Sequence, residues 1–585
     1  MIGRIWGWDT ETIQKGKNNT QYPYTFQIYG GPGLSFLCEN PTLSPDRFRN
    51  EFFKFLDQQA LSGDIFVCYN LEFDGLQTFF RDDLSIYGKK IFRRFPFKSK
   101  TITITGVLSY PTPFLEMYIS DGRKITFIDS SKFFEGMNLE KVALQYKTIP
   151  KMKRPSYIGK RFPTDREKPS FFKYAMVDAQ VCYELGLIIK KYHELANLNA
   201  ITFSVAHLAG TNFNINFCDN HKLDYPGQGI DFAALQAKYG GYRASYIQQG
   251  VYKRYAHLDV VSLYPYVMSK MKAYFNGKYY QTTRLEREGI YKIQTILPKN
   301  ETQPLFLKRI KGHKIEFQPL NAVISFWCTE PEITAYKKIH KKWKYKILNG
   351  FVWRGQSKNR PLARWVELHF KEKAKYSKNG PEKFKRDFHK DMMNHLTGKF
   401  DANIGVTEEK FITKDGEKDF SYKRPGMLRN YFVAAVLRGA ARAYTWIKGY
   451  NKSVQYMTDS IDIPVKYANS RYFNIGSGLG QWEIEAVGDF IFYRTGLYLY
   501  FNWRKNKEPL KNALHGFQSD WRKFLELVRL GGGTYTRTKM MRVKESLKRD
   551  GGLTAFKFYD KKFELKNVSK KLTEEIKSWL RNKTL

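Results

Sequence analysis

Residues 2–13, IGRIWGWDTETI, alternate apolar and polar positions with a period of two, which predicts a strand whose successive side chains point to opposite faces. Asp9 and Glu11, two apart, fall on one face. An apolar run at residues 64–69 predicts a second strand, and it passes through Asn70-Leu71-Glu72-Phe73-Asp74-Gly75 into an apolar helix with Asp74 in its first turn. A later strand, ITFID, ends just before Ser130. Over residues 170–192 the repeat lengthens to that of a helix, which sets Tyr174 and Asp178 four apart on one face. Four acids and a tyrosine thereby converge from two strands and two helices.

Further along, residues 257–268 (HLDVVSLYPYVM) form an apolar, β-branched strand ending on Asp259 and followed by a tight Ser262-Leu263-Tyr264-Pro265 turn. Two hundred residues on, YMTDSIDIP at 456–464 reads as a hairpin with Asp459 at its tip. Between them, residues 390–400 (KDMMNHLTGKF) predict a helix with Lys390 and Asn394 on one face. Residues 490–501, FIFYRTGLYLYF, alternate aromatics as a strand. The nearest approach to a linker is residues 375–385, where Asn-Gly-Pro breaks the helical pattern, and there is no internal repeat or low-complexity tract.

At 585 residues, 42% hydrophobic and 16% aromatic, the chain is long enough for three or four domains with their own cores. Its formal net charge of +42 exceeds that of a merely solvated basic surface and points to a polyanion, nucleic acid. Five cysteines, at 38, 68, 182, 218 and 328, show neither CxxC pairing nor zinc spacing, so reduced buried thiols in a cytoplasmic protein are expected. The N-terminus lacks the features of a signal peptide, and nowhere do eighteen apolar residues run together. A soluble protein with no membrane partner is expected.

Two carboxylates on adjacent strand ends, here Asp259 and Asp459, suit in-line nucleotidyl transfer through divalent cations about 4 Å apart. Such ions activate the attacking 3′-oxygen and neutralise the leaving pyrophosphate. A cation on the Lys390 and Asn394 face can grip a triphosphate. Asp9 and Glu11, side by side, repel unless a cation sits between them.

The DVVSLYP stretch at 259–265, the Kx3N…G pattern at 390–398 and TDS at 458–460, in this order and at this spacing, resemble the first palm, fingers and second palm motifs of family B DNA polymerases. The DxE of Asp9 and Glu11, the Nx3D of Asn70 and Asp74, and the Yx3D of Tyr174 and Asp178 resemble the DEDDy class of 3′–5′ proofreading exonucleases. The resemblance covers essentially the whole chain. It implies an α/β and α+β multidomain fold, with an RNase H-like exonuclease domain over residues 1–185 and a right-hand polymerase domain over 186–585. Within the latter it implies a palm at about 186–267 and 431–502, fingers at about 356–400 and a thumb at about 503–585. The lengths between motifs resemble the protein-primed branch, as in replicases of bacteriophages and linear plasmids. There a first insertion, here about 268–355, contacts a terminal protein that serves as primer, and a second, here about 401–430, closes round the DNA for processivity and strand displacement.

By the same resemblance Asp9, Glu11, Asp74 and Asp178 hold two Mg²⁺ or Mn²⁺ ions, Tyr174 orients the attacking water, and Thr12, Asn70 and Phe73 hold an unpaired primer end. Lys153, in KMKRPSY, resembles an accessory lysine of the small family members; a solvated lysine is the other reading. Ser130 is a softer candidate for single-strand contact. Tyr239-Gly240-Gly241 resembles a YxGG-type element that joins the two domains and touches the template strand, although Gly-Gly is more often an ordinary turn. In the palm, Asp259, the Val260 carbonyl and Asp459 hold two further ions, Ser262 and Leu263 present backbone amides to the triphosphate, and Tyr264 stacks under the sugar and excludes a 2′-hydroxyl. In the fingers Lys390 binds the triphosphate, with Lys378 weighted above Lys373 as a further phosphate ligand. Tyr498 is the nearest match to a primer-strand Lys-x-Tyr element, with Gly496 in the lysine's place. The implied partners are primer-template DNA, deoxynucleoside triphosphates and a terminal protein, bound by a monomer.

The second half departs from the family at two places. Met457-Thr458-Asp459-Ser460 stands where relatives usually have Asp-Thr-Asp-Ser, and Asn394-His395-Leu396-Thr397-Gly398 where they usually have Asn-Ser-x-Tyr-Gly. These departures keep a second reading open, a 3′–5′ exonuclease whose polymerase half has degenerated into a DNA-binding scaffold.

Overall fold

The computed structural model describes residues 2–14, 21–87, 89–109, 112–158, 160–218, 221–310, 314–355, 360–405, 410–412, 418–420, 423–502, 508–514, 520–550, 555 and 557–581. The first eight strands make one sheet in the order Ser35–Glu39, Gln21–Tyr29, Ile5–Gln14, Ile65–Cys68, Lys124–Asp129, Phe114–Ile119, Lys100–Val107 and Ile91–Phe97. Ile5–Gln14, Ile65–Cys68 and Lys124–Asp129 run parallel, and the remaining pairings are antiparallel. Parallel neighbours need a covered sheet. One face is covered by the Pro45–Gln59 helix through Phe48, Phe52, Phe53, Phe55 and Leu56, the other by the 28-residue helix Lys168–Leu195.

That long helix can approach the central strand because position 7 is glycine. A Cβ built on Gly7 would lie 1.9 Å from the carbonyl oxygen of Ala179. The far end of the helix leaves the sheet and meets the second half of the chain, where the ring of Tyr192 lies 5.2 Å from that of Phe388.

A second sheet has seven strands, in the order Lys511–Leu514, Leu497–Phe501, Trp482–Arg494, Gly250–Val260, Ser460–Pro464, Gln455–Met457 and Arg243–Ser245. The helix Tyr431–Gly449 buries Phe432, Val433, Val436 and Trp446 in the large core shared with this sheet. The expected single strand at 490–501 is two antiparallel strands joined at Thr495-Gly496, with Gly496 at φ 79°. Both strands bury aromatic residues, so the alternation runs unbroken across the turn and conceals it.

Residues 277–355 contain a four-stranded antiparallel sheet of their own, Gly277–Gln281, Tyr345–Gly355, Ile290–Ile296 and Val323–Thr329. Two antiparallel helices, Pro361–Ala374 and Lys383–Lys399, follow, separated by the Asn-Gly-Pro break. Short strand pairs Asn403–Gly405 with Lys423–Pro425, and Lys410–Ile412 with Lys418–Phe420, occupy the stretch before Tyr431. At the C-terminus the helices Trp521–Arg529 and Lys570–Arg581 pack Phe524, Leu525, Leu572, Ile576 and Trp579 onto Ile491, Leu499 and Phe501 of the second sheet. Val543 and Leu547, by contrast, join the core of the first sheet, so the end of the chain returns to its beginning. All five cysteines are free thiols, four of them buried. No helix among the described residues is long and apolar enough to cross a membrane.

Candidate active sites

The first centre is built on the central strand of the first sheet. Asp9 and Glu11 share one face, Asp74 enters from the first turn of the Leu71–Phe79 helix, and Asp178 descends from the long helix. Ligand atoms of Asp9, Glu11 and Asp178 all lie within 4.8 Å of one another. The Asp74 carboxylate accepts a 2.5 Å hydrogen bond from the Thr10 hydroxyl. Burial, and then repulsion from Asp178, pushes Glu11 up to about 8. Burial likewise takes Asp74 up to about 7 and, with Glu11 and Asp74 adding their repulsion, holds Asp9 well above the carboxylate range. Asp178 Oδ1 is buried without a hydrogen-bond partner. Crowded, desolvated oxygens with an orphan among them fit hard divalent cations, which take oxygen ligands.

Tyr174, one turn before Asp178, is buried, and its hydroxyl is held above its ordinary value by burial and by Glu11, Asp178 and Asp9. Asn70 is exposed at the helix start with φ 124°, and Phe73 is half-buried beside it. Thr12 is buried and its hydroxyl donates to Gln21 at 3.2 Å.

One expectation here gains a rival and another is corrected. Lys153 is exposed, whereas Lys151 Nζ lies 2.5 Å from Asp178 Oδ2 and over the Tyr174 ring at 5.7 Å. The segment carrying both lysines has no regular secondary structure, so no periodicity fixes which one turns inward. Ser130 is fully buried and donates its hydroxyl to the Cys68 carbonyl at 2.7 Å, which ties two parallel strands together and leaves nothing for a single strand to touch. Arg154, whose charge lowers Glu11 and Asp178, and Thr10 were not singled out from the sequence.

The second centre lies where the Gly250–Val260 strand meets the hairpin of Gln455–Met457 and Ser460–Pro464. Asp259 pairs in register with Ser460, and the Val260 amide donates to the Asp459 carbonyl at 2.9 Å. Burial and the neighbouring Asp459 and Glu485 push Asp259 up to about 8; burial also raises Asp459. Thr458, at the tip, has φ 68°, and its amide donates to the Tyr242 carbonyl at 2.8 Å. Gly241 packs directly beneath it, where a Cβ would come within 2.4 Å of Thr458 Cγ2, whereas a Cβ on Gly240 would meet nothing. The Gly240 and Tyr239 carbonyls accept from Arg442, whose buried guanidinium also pairs with Glu332 at 2.8 Å. Met457 packs against the apolar cluster of Phe490, Tyr498 and Tyr500, so its side chain contributes contact rather than charge.

Ser262 takes φ 54° and starts the helix Leu263–Lys270, whose first amides face an anion-favouring helix N-terminus. Tyr264 is half-buried near Arg438, Arg442 and Asp459. Lys390 and Asn394 are both exposed on one face of the Lys383–Lys399 helix, as the spacing predicts. The two lysines stand in different surroundings. Lys378 is exposed and 3.7 Å from Glu483, while Lys373 points inward to within 3.4 Å of the Ser262 hydroxyl. Burial, then Arg386, Lys390 and Lys378, push Lys373 down to about 8. Arg386, four residues before Lys390, completes this basic group and was not singled out from the sequence. Tyr498 is 2% exposed and packed edge-on against Phe490 and Tyr500 and tilted against His257, so it supports the strand beneath the acids. Glu485, Lys511 and His257 are further neighbours of Asp259 and Asp459 that motif reading passed over.

Residues 160–431 match the family model described as DNA polymerase type B, organellar and viral. No curated protein sequence matches the chain. Among solved structures, Phi29 DNA polymerase complexed with primer-template DNA and incoming nucleotide substrates superposes with a TM-score of 0.70 at 16% identity, over 96% of this chain and 100% of that one. Its binary complex with primer-template DNA gives 0.69 at 15% identity over the same shares. At these identities the likeness establishes the fold, a mixed α/β multidomain arrangement. The family match spans both the Asp259 strand and the two basic helices, so over residues 160–431 the chain is similar to type B DNA polymerases of the organellar and viral kind.

Proposed function

We propose that this polymerase carries two separate active sites, a nucleotidyl transfer site at Asp259 and Asp459 and a 3′–5′ proofreading site at Asp9, Glu11, Asp74 and Asp178, and that it replicates a viral or mobile-element genome by protein priming and strand displacement inside its host's cytoplasm. The observation that carries the reading is that the chain buries two clusters of mutually repelling carboxylates on two different sheets. Type B polymerases use divalent metals. Two Mg²⁺ or Mn²⁺ ions per site, held by Asp9, Glu11, Asp74 and Asp178 in one and by Asp259, the Val260 carbonyl and Asp459 in the other, would polarise the reacting oxygens and neutralise the leaving group.

The protein's own residues supply the rest. Lys373, Arg386 and Lys390 form a basic wall that binds the triphosphate, and the amides of Ser262 and Leu263 cradle it from the helix start. Tyr264, packed beneath that turn, excludes a 2′-hydroxyl. Gly241 locks Thr458 and so fixes where Asp459 stands. In the proofreading site Tyr174 holds the attacking water and Lys151 favours the charged form of Asp178 against its burial, while Asn70 and Phe73 hold the frayed end. The separate sheet at 277–355 and the strand pairs before Tyr431 support the reading of two insertions, the first docking a terminal protein and the second enclosing the duplex. The monomer then takes primer-template DNA and deoxynucleoside triphosphates as substrates.

The test is extension of a labelled primer on a template, with and without deoxynucleotides, and nucleotidylation of a candidate terminal protein from the same genome. Extension with nucleotides and 3′ degradation without them are expected. Degradation alone would return the polymerase half to a scaffold role.

A further inference from the structure

His257 precedes Asp259 by two residues, on the same face of the same strand, and is fully buried. Its Nδ1 lies 2.7 Å from Asp462 Oδ1. Asp462 also accepts from Tyr500 at 2.8 Å and from Gln455 at 2.6 Å, so this carboxylate is surrounded by donors and the proton between it and the imidazole belongs to Nδ1. The other ring nitrogen, Nε2, is then the one available to bind. It is buried, has no hydrogen-bond partner, and lies 3.7 Å from Glu485 Oε2, beyond hydrogen-bond range.

Glu485 reaches this place through a local irregularity. The Trp482–Arg494 strand pairs Ala486 with His257 but Ile484 with Leu258, so Glu485 is the extra residue of a bulge and its carboxylate is turned towards the face of His257 and Asp259. Ligand atoms of His257, Asp259 and Glu485 lie within 4.8 Å of one another. A buried nitrogen lone pair facing two carboxylates is repelled by both unless a cation lies between. In this structure the Lys511 ammonium binds the same Glu485 oxygen, Oε2, so the position already attracts positive charge.

We propose that His257 Nε2, with Asp259 and Glu485, ligates a divalent cation, so that the polymerase centre of this chain contains a nitrogen donor. The arrangement is a carboxylate, histidine and metal relay, in which Asp462 fixes the tautomer and orientation of the imidazole. An imidazole suits the softer first-row ions and is accepted by Mn²⁺ more readily than by Mg²⁺, which prefers six oxygens, so the site discriminates between cations. The inference rests on the reading of Asp259 as a metal ligand.

The experiment uses the full chain with Asp9→Ala and Glu11→Ala, which removes the other cluster, loaded with Mn²⁺ alone and examined by pulsed electron paramagnetic resonance. A ¹⁴N coupling to the bound ion is expected, replaced by ¹⁵N in protein labelled at histidine and lost in His257→Gln. Asp462→Asn, which keeps the imidazole, is expected to weaken Mn²⁺ binding by about 10- to 100-fold while changing Mg²⁺ affinity far less; a merely structural defect would weaken both alike. Among the described residues the silenced cluster contains no histidine, so the isotope result stands even if His257→Gln fails to fold. Bound Mn²⁺ without nitrogen coupling overturns the inference and leaves Asp259 as a ligand. No bound Mn²⁺ in this half overturns both.

Discussion

Lys151 Nζ sits 2.5 Å from Asp178 Oδ2, and its charge opposes the rise that burial imposes on that carboxyl. Lys151→Ala is expected to lower degradation of single-stranded 3′ ends by about 10- to 100-fold, the worth of a charge-assisted hydrogen bond in a buried site. Lys153→Ala, two residues away and exposed, should leave degradation near that of the parent. Comparing the two variants on a labelled oligonucleotide without deoxynucleotides decides between them; equal loss would return the accessory role to Lys153.

Raised carboxyl values make the metal-free protein sensitive to pH. Glu11 at about 8, Asp74 at about 7 and Asp259 at about 8 all lie above their unfolded values of about 4. The folded state therefore binds more protons, and its stability contribution is present below pH about 4 and is lost as pH rises towards about 8. Thermal unfolding in a chelator should shift to lower temperature across that window. Adding Mg²⁺ or Mn²⁺ should restore the loss at pH 8, because the ion replaces the protons. A midpoint independent of pH in chelator would contradict the buried, proton-sharing state of these acids.

Asp459 and Met457 flank the same turn yet differ in what they give to it. In a chain with its first carboxylate cluster removed, Asp459→Asn should cut single-nucleotide incorporation by roughly 10³-fold, as removal of charge stabilisation from a preorganised site does. Met457→Ala should cost activity modestly, by opening a gap beside Phe490 and Tyr498. Met457→Asp, although it restores the usual family residue, places a carboxylate against that apolar cluster and should lower both stability and incorporation. Higher activity in Met457→Asp would mean that the cluster yields and that the lost charge had limited the site.

The two fingers lysines should separate in steady-state kinetics. Lys373→Met is expected to raise KM for the incoming deoxynucleotide by about 10-fold or more, since a charge-assisted contact to phosphate is removed, whereas Lys378→Met should change it much less. Because Lys373 is pushed down to about 8, KM in the parent should also climb as pH rises through that value, and the climb should vanish in Lys373→Met. A larger effect at Lys378 would restore the order suggested by the sequence.

Much of this was legible in the chain itself. The strand carrying Asp9 and Glu11, the Tyr174 and Asp178 face, the Asp259 strand and the Asp459 hairpin all follow from short periodic patterns closed by recognisable turns. What escaped has physical causes. Lys151 and Lys153 share an irregular segment, where no period assigns a face. Glu485 is aimed by a bulge, a register slip between strands far apart in sequence. Tyr498 is a good match by position, but three aromatic neighbours bury it. Arg386, by contrast, stands four residues before Lys390 and could have been found by extending the helical face one turn back.

The helix Lys168–Leu195 carries Asp178 near its middle and touches the Lys383–Lys399 helix through Tyr192 near its end. At about 1.5 Å per residue it is a strut roughly 40 Å long with no glycine or proline break between Asp178 and Tyr192 except Gly186, which fits against Ile5 and Val67. A strut does not telescope. The separation of Asp178 and Tyr192, fourteen residues apart, is therefore set by the helix itself at about 21 Å. The strut also has a phase: one residue inserted between Asp178 and Tyr192 would turn its two ends by about 100° against each other. Either the acid would leave its cluster or the fingers would lose their abutment, so the count of residues in this segment works as the gauge of the whole machine.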